Sequence, residues 1–209
     1  MAIVFKRDHS HYQIGIWRIE ESLGELEAKA SLLLINDKAP YFKSIQRRKE
    51  WLSIRILLYE LLGVAAVIAY TESGKPYLRN SHYSIGITHS KGYAALIISP
   101  FYTVSIDLET PPFSQINRVA SRVFSAEEFF YTAREASFFE PLIWCAKETL
   151  YKLIDKQGVI YKEELIVLPF RATDSSGTFQ VEVRRKDLSF TQIINYFRSE
   201  DFVCTYALK

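Results

Sequence analysis

Cysteine is scarce in this chain. Cys145 and Cys204 are the only two among 209 residues. They offer neither a disulfide framework nor a metal-ligand spacing, so both read as free, buried thiols of a reducing compartment. No apolar run approaches the roughly 18 residues of a membrane span. The longest, Leu61 to Tyr70, is short and is interrupted by Gly63. The apolar run near the N-terminus is too short for a signal peptide, and Lys6-Arg7 follow it at once. Neither sign of charge prevails: 26 basic residues against 24 acidic leave a net +2, which is not the balance of a dedicated nucleic-acid binder. Low-complexity segments are absent. What the chain does have is a hydrophobic fraction of 48%, enough to fill a core, and a length that suits one domain or two small ones. The expectation is a soluble, cytoplasmic protein with no membrane or nucleic-acid partner.

The most informative short stretch is Val104-Ser105-Ile106-Asp107-Leu108-Glu109. It reads as a strand, on which alternate side chains share a face. Val104, Ile106 and Leu108 form an apolar face, and Ser105, Asp107 and Glu109 the opposite one. Thr110-Pro111-Pro112 ends the strand, because proline cannot donate to a ladder. Two like charges side by side repel unless a cation or a shared proton relieves them. Hard oxygen ligands suit Mg2+, which usually takes one or two protein carboxylates and completes its shell with water and phosphate oxygens. A solvated edge strand with two surface acids explains the same six residues.

Taken in order, His11 to Ile19 is apolar on both sides and reads as a buried strand. Ser22, with Glu25 three residues on, starts a helix expected to run through Ile35. A second helix is expected from about Ala39 to Leu62, with Trp51, Ile54, Leu58 and Leu61 at helical spacing and Gly63 as its stop. Arg47, Arg48, Lys49 and Arg55 lie on its polar face. They form either a solvated face or a phosphate-facing edge, since arginine matches phosphate with paired donors. Gly74 and Pro76 mark a turn with Lys75 at its tip. Tyr83–Thr88 and Tyr93–Ser99 read as strands joined by a tight loop, His89-Ser90-Lys91-Gly92. That loop is an anion-binding turn or simply a hairpin turn.

Pro111-Pro112 is the one boundary candidate. It divides the chain into residues 1–110 and 111–209, each running from helices to strands. Phe113 to Ser121 is helical, and Ser125 with Glu128 forms a second capping box. The helix from about Pro141 to Ile154 carries Trp144, Glu148 and Lys152 four apart on one face, with Lys147 about 100 degrees round from Glu148. An i,i+4 ion pair of a few tenths of a kcal/mol accounts for Glu148 and Lys152 taken alone. After Gly158, four β-leaning runs follow, the last ending near Leu208.

In order, the chain gives Gly74-Lys75-Pro76, Ile87-Thr88-His89-Ser90, Ile106-Asp107-Leu108-Glu109 and Trp144-x-x-Lys147-Glu148-x-x-x-Lys152. From about Arg47 to Lys152 this resembles the 4'-phosphopantetheinyl transferases of the surfactin-synthetase type, whose motifs G-K-P, S-H-S, G-I-D-x-E and W-x-x-K-E-x-x-x-K occur in the same sequence. The last two are specific together, whereas G-K-P alone is trivial. The resemblance implies an α+β fold of two similar halves related by a pseudo-twofold. Each half would be a small antiparallel sheet packed with helices, with the active site at the seam. It also implies an enzyme that moves the 4'-phosphopantetheine arm of coenzyme A to a serine of an apo acyl or peptidyl carrier protein and releases 3',5'-ADP. It further implies a monomer that uses Mg2+.

By the same resemblance Asp107, Glu109 and Glu148 are metal ligands, and Glu148 is also the general base, directly or through a water. Lys152 and Lys147 neutralise the pyrophosphate. Lys75, His89, Ser90 and Arg47 hold the adenosine 3'-phosphate and its surroundings, with Arg48 or Arg55 as substitutes for Arg47. Two residues depart from the motifs: Ser105 stands for the usual glycine and Thr88 for the usual serine. A non-catalytic module that binds coenzyme A or the carrier would need the basic residues but not three acids. An unrelated nucleotide-binding or nucleic-acid-binding domain would use the Arg47–Arg55 face alone.

Overall fold

The computed structural model describes residues 3–128, 138–172 and 174–209. It is a mixed α+β chain that divides into two compact units, Met1–Val104 and Ser105–Lys209.

In the first unit, β1 (Ile3–His9), β2 (Tyr12–Arg18), β5 (Ser84–Ser90) and β6 (Tyr93–Ser99) form a sheet in the order β1-β2-β6-β5, with every neighbouring pair antiparallel. A short hairpin of β3 (Ile68–Tyr70) and β4 (Pro76–Leu78) forms a separate two-stranded sheet and buries Ile68 and Leu78 in the same core. Helix α1 (Leu23–Leu32) begins with the capping box expected at Ser22 and Glu25. It stops three residues short of the expected end, where Leu33 caps it and Leu34 turns to φ 55.

Helix α2 (Ile45–Leu62) begins at Ser44, whose Oγ accepts from the Arg47 N–H. The expected start near Ala39 is corrected by Pro40, which drives the residue before it out of the α region. Gly63 ends the helix in the left-handed region at φ 73, as its position predicts. Helix α2 packs on β2 and β6. At Gly15 of β2, a Cβ would stand 2.7 Å from Leu57 Cδ1, so a side chain there would require Leu57 to shift. Trp17, Leu26, Leu57, Leu58, Leu96 and Ile98 anchor this core.

In the second unit, the sheet order is β7 (Val104–Glu109, in this unit from Ser105), β11 (Val203–Leu208), β10 (Ser189–Arg198), β9 (Ser176–Arg184) and β8 (Leu165–Val167). The pairs among the last four strands are antiparallel. Helices α3 (Ser114–Val123), α4 (Phe139–Ile154) and the single turn α5 (Tyr161–Glu164) complete the unit. Val159–Ile160, read as β-leaning, leads into that turn instead of a strand. The helix expected from Ser125 is described only as far as Glu128, and both hydrogen bonds of its capping box are present.

Helix α4 decides where the site's side chains go. Leu142, Ala146, Leu150 and Leu153 are buried in the unit's core. Trp144, Glu148, Tyr151 and Lys152 form the partly exposed stripe. Asp155, left-handed at φ 48, terminates the helix just beyond Lys152.

Candidate functional site

Three alternate residues of β7 each meet α4. Ser105 Oγ donates to the Thr149 carbonyl at 2.7 Å. Asp107 Oδ1 accepts from Lys152 Nζ at 2.6 Å, and the same ammonium donates to Ile106 O at 3.3 Å. Glu109 Oε1 accepts from Trp144 Nε1 at 3.1 Å. The strand's two-residue period and the helix's 3.6-residue period thus bring one face of each together. Ser105 and Asp107 are buried, while Lys152 keeps a third of its side chain exposed.

Glu148 belongs to this group electrostatically. Burial, and next the charge of Asp107, hold its carboxyl above the usual range. Lys152 and a hydrogen bond from Tyr161 work in the opposite direction, and Glu109 adds a further raising contribution. Burial alone would lower Lys152, but the charge and hydrogen bond of Asp107, joined by the charge of Glu148, outweigh it, and the ammonium is held above its ordinary value. Lys152 therefore stays protonated and neutralises part of a cluster of three acids.

Two residues to which the sequence reading assigned no part in the site complete the surroundings. Tyr161, from α5, donates its hydroxyl to Glu148. Burial first, and the Glu148 charge second, push that phenol far above its usual range. Its ring lies 5.4 Å from Tyr151 and 6.4 Å from Trp144, centroid to centroid. No local pattern could have found it, since it sits in a short turn 13 positions beyond Glu148. Cys145 Sγ–H points at the Val203 carbonyl oxygen, 3.9 Å away, within the field of Asp107. Burial, ahead of the charges of Asp107 and Glu109, pushes its thiol well up, so it remains a neutral thiol.

Lys147 does not join the group. It was expected beside the pyrophosphate, but the structure buries it completely. Its Nζ bonds Glu128 Oε2 at 2.7 Å, Val123 O at 2.7 Å and Tyr161 O at 3.1 Å. Glu128 in turn accepts from the Ser125 and Val167 amides at 2.7 and 2.8 Å. The reason is helical geometry: a step of 100 degrees from Glu148 puts Lys147 in the stripe of Ile143, Leu150 and Ile154, all buried. A buried ammonium then needs a buried partner.

In the first unit, Arg47 Nη1 stands 2.9 Å from His89 Nε2 and 3.1 Å from Glu50 Oε2, and His89 Nδ1 lies 3.5 Å from the same oxygen. His89 and Ser90 are not loop residues, as their sequence context had implied. They are the last rungs of β5, opposite Ala94 and Tyr93, and the turn itself is Lys91-Gly92, both at positive φ. Arg48 and Arg55 are committed elsewhere. Arg48 pairs with Glu27 of α1. Arg55 is buried, bonding Asp37 at 2.7 Å with its guanidinium 3.6 Å over Trp51. Burial lowers its pKa, against the pull of Asp37. Lys75, partly exposed, lies in the turn between β3 and β4, and its amide bonds Thr71 Oγ1 at 3.0 Å.

Residues 103–207, half of the chain, match the family model of the 4'-phosphopantetheinyl transferase superfamily. The chain belongs to this superfamily. The match contains β7, α4 and α5, so it covers the whole carboxylate group of the second unit. No curated protein matches the chain. Membership makes the protein a transferase of the phosphopantetheinylating kind, with coenzyme A as substrate and a carrier protein as partner.

The donors of the second unit fit a hard divalent cation in kind. Asp107, Glu109 and Glu148 present only carboxylate oxygens, and the field of the first two is felt at the third. As the side chains stand, no three His, Cys, Asp or Glu among the described residues are close enough together to hold a metal. Lys152, Trp144 and Tyr161 hold one acid each.

Proposed function

We propose that this protein is a Mg2+-dependent transferase of the surfactin-synthetase type. It would move the 4'-phosphopantetheine arm of coenzyme A to a serine of an apo acyl or peptidyl carrier protein and release 3',5'-ADP. The observation that carries the reading is the convergence of Asp107, Glu109, Glu148 and Lys152 within one unit, with Glu148 sensitive to the charges of the other three.

Asp107, Glu109 and Glu148 are the proposed ligands of the cation, which when bound offsets charge on the pyrophosphate oxygens. Lys152 supplies a permanent positive charge beside the leaving group. Lys152, the more exposed member of its pair with Asp107, would turn from that carboxylate to face phosphate. Glu148, as a carboxylate, takes the proton of the carrier serine, directly or through a water. The donated hydrogen bond from Tyr161 favours the ionised form that this role requires. In the first unit, Arg47 with His89, Ser90 and Lys75 form the proposed set for the adenosine 3'-phosphate, to which arginine donates in pairs. Lys147 is left out of that set and assigned to holding α4 in place.

The test is incubation with coenzyme A, Mg2+ and several apo carrier proteins, followed by mass spectrometry of the carrier. The phosphopantetheine mass should appear and should require the divalent ion. Retention of coenzyme A without a Mg2+-dependent product would mark a binding module instead, and no added mass on any carrier would remove the transferase reading.

A further inference from the structure

Of the three β7 side chains that meet α4, two are acids. The third, Ser105, stands where the resembling family has glycine. Its hydroxyl is not idle. Ser105 Oγ lies 2.7 Å from the carbonyl oxygen of Thr149, the residue that follows Glu148. The helix ladder occupies one lone pair of that carbonyl, and the serine takes the other. Thr149 is also tied on its side-chain end. Its Oγ1 is 2.7 Å from Thr205 Oγ1 and 3.2 Å from Thr205 O, on the neighbouring strand β11. Ser105, Thr149 and Thr205 are all buried, at 2%, 0% and 0% exposure.

We infer that Ser105 is a positioning residue. Its bond to Thr149 sets the spacing between the strand that carries Asp107 and Glu109 and the helix that carries Glu148 and Lys152, and through that spacing the site's affinity for a divalent cation. The inference rests on the metal reading of these acids given above.

Ser105 is one strand repeat from Asp107, about 7 Å along the chain. Thr149 is adjacent to Glu148 and less than one turn before Lys152. A shift of β7 relative to α4 at this contact therefore moves Asp107 against Glu148 and Lys152 together. Metal ligation and phosphoryl transfer both depend on sub-ångström placement of their groups. A hydrogen bond between a strand side chain and a helix carbonyl adds a directional restraint on translation along the helix axis to that of close packing. The other side-chain bonds from the acids of β7 to α4 are looser restraints. The Asp107–Lys152 bond ends on a flexible four-carbon stem, and the Glu109–Trp144 bond lies at the far end of the strand.

The experiment compares wild type with Ser105→Ala, Ser105→Gly and Ser105→Thr, using Mn2+ as the probe and reading free Mn2+ by electron paramagnetic resonance. Ser105→Ala should weaken Mn2+ binding by roughly three- to tenfold, the scale of one hydrogen bond. It should raise the Mg2+ concentration for half-maximal transfer by a similar factor and leave KM for the carrier unchanged. Ser105→Thr, which keeps the hydroxyl, should restore most of the loss. Hydrogen exchange at the amides of residues 105–109 should quicken in the alanine variant without metal. If Ser105→Ala does not fold, Ser105→Gly carries the same measurement. A folded alanine or glycine variant that binds Mn2+ as wild type does overturns the inference. So does a melting temperature that falls while Mn2+ affinity holds. Failure of the wild type itself to bind Mn2+, or binding that survives Asp107→Asn, overturns the metal reading beneath it and is a different result.

Discussion

Lys152 Nζ stands 2.6 Å from Asp107 Oδ1, joining the helix and the strand that carry the candidate chemistry. The pair spans 45 residues of sequence, and it is the point at which two separate motifs become one site. Its members are unequal in exposure: Asp107 is buried and Lys152 reaches solvent. The lysine is therefore the member that can move when a phosphate or a cation arrives.

Asp107→Asn and Lys152→Met should each lower carrier phosphopantetheinylation by roughly a hundredfold or more, the scale on which charge-stabilising groups act. The double variant should lose little beyond the worse single one, because groups that act as a unit are not additive. Initial rates with circular dichroism as the folding control decide the matter. Wild-type turnover in folded Asp107→Asn would place the metal site elsewhere.

Removing one partner of the Lys147–Glu128 pair should unfold the second unit more readily. Lys147→Met leaves the buried Glu128 carboxylate without its counter-charge, a change that typically costs about 3–5 kcal/mol. Adding Glu128→Gln should recover part of the loss, since the amide's oxygen can still accept from the Val167 amide. Denaturant midpoints measure this directly. An unchanged midpoint with a raised KM for coenzyme A would instead return Lys147 to the ligand.

The raised carboxyl of Glu148 makes stability depend on pH. Without metal, its pKa in the folded chain lies above the unfolded value of 4.5, because burial and the Asp107 charge disfavour ionisation. Between those two values the native state holds more protons than the unfolded state. The associated stability is complete below the unfolded pKa and is lost as pH rises through the folded one. Glu148→Gln lacks this dependence. In chelator, the melting temperature of wild type should drop relative to Glu148→Gln as pH rises from about 4 to about 7. Mg2+ should reverse the drop in wild type only. A difference that stays constant with pH would remove the burial argument.

Arg47→Ala should raise KM for coenzyme A by about tenfold or more, the value of a hydrogen bond to a charged group, with little change in kcat. Dephospho-coenzyme A, which lacks the 3'-phosphate, should be handled alike by wild type and variant. Equal losses on both substrates would show that Arg47 acts through Glu50 and His89 on the fold of the first unit and not on that phosphate.

Much of this was legible in the chain. Period-two alternation put Ser105, Asp107 and Glu109 on one face, and four-residue spacing put Trp144, Glu148 and Lys152 on another. Ser22 with Glu25, and Gly63, marked helix ends through bonds that close within a few residues. Such features rest on local geometry, so one sequence suffices to read them. Tertiary structure alone decided what each face would meet. It delivered Tyr161 to Glu148 and matched the Ser105 hydroxyl to a carbonyl 44 residues away. It gave Arg55 to Asp37 and left Arg47 beside His89. It also took Lys147 from the expected phosphate to Glu128. Each outcome depends on long-range pairing and on burial. A buried charge or hydroxyl must find its partner wherever the fold places one, and sequence spacing does not encode that place.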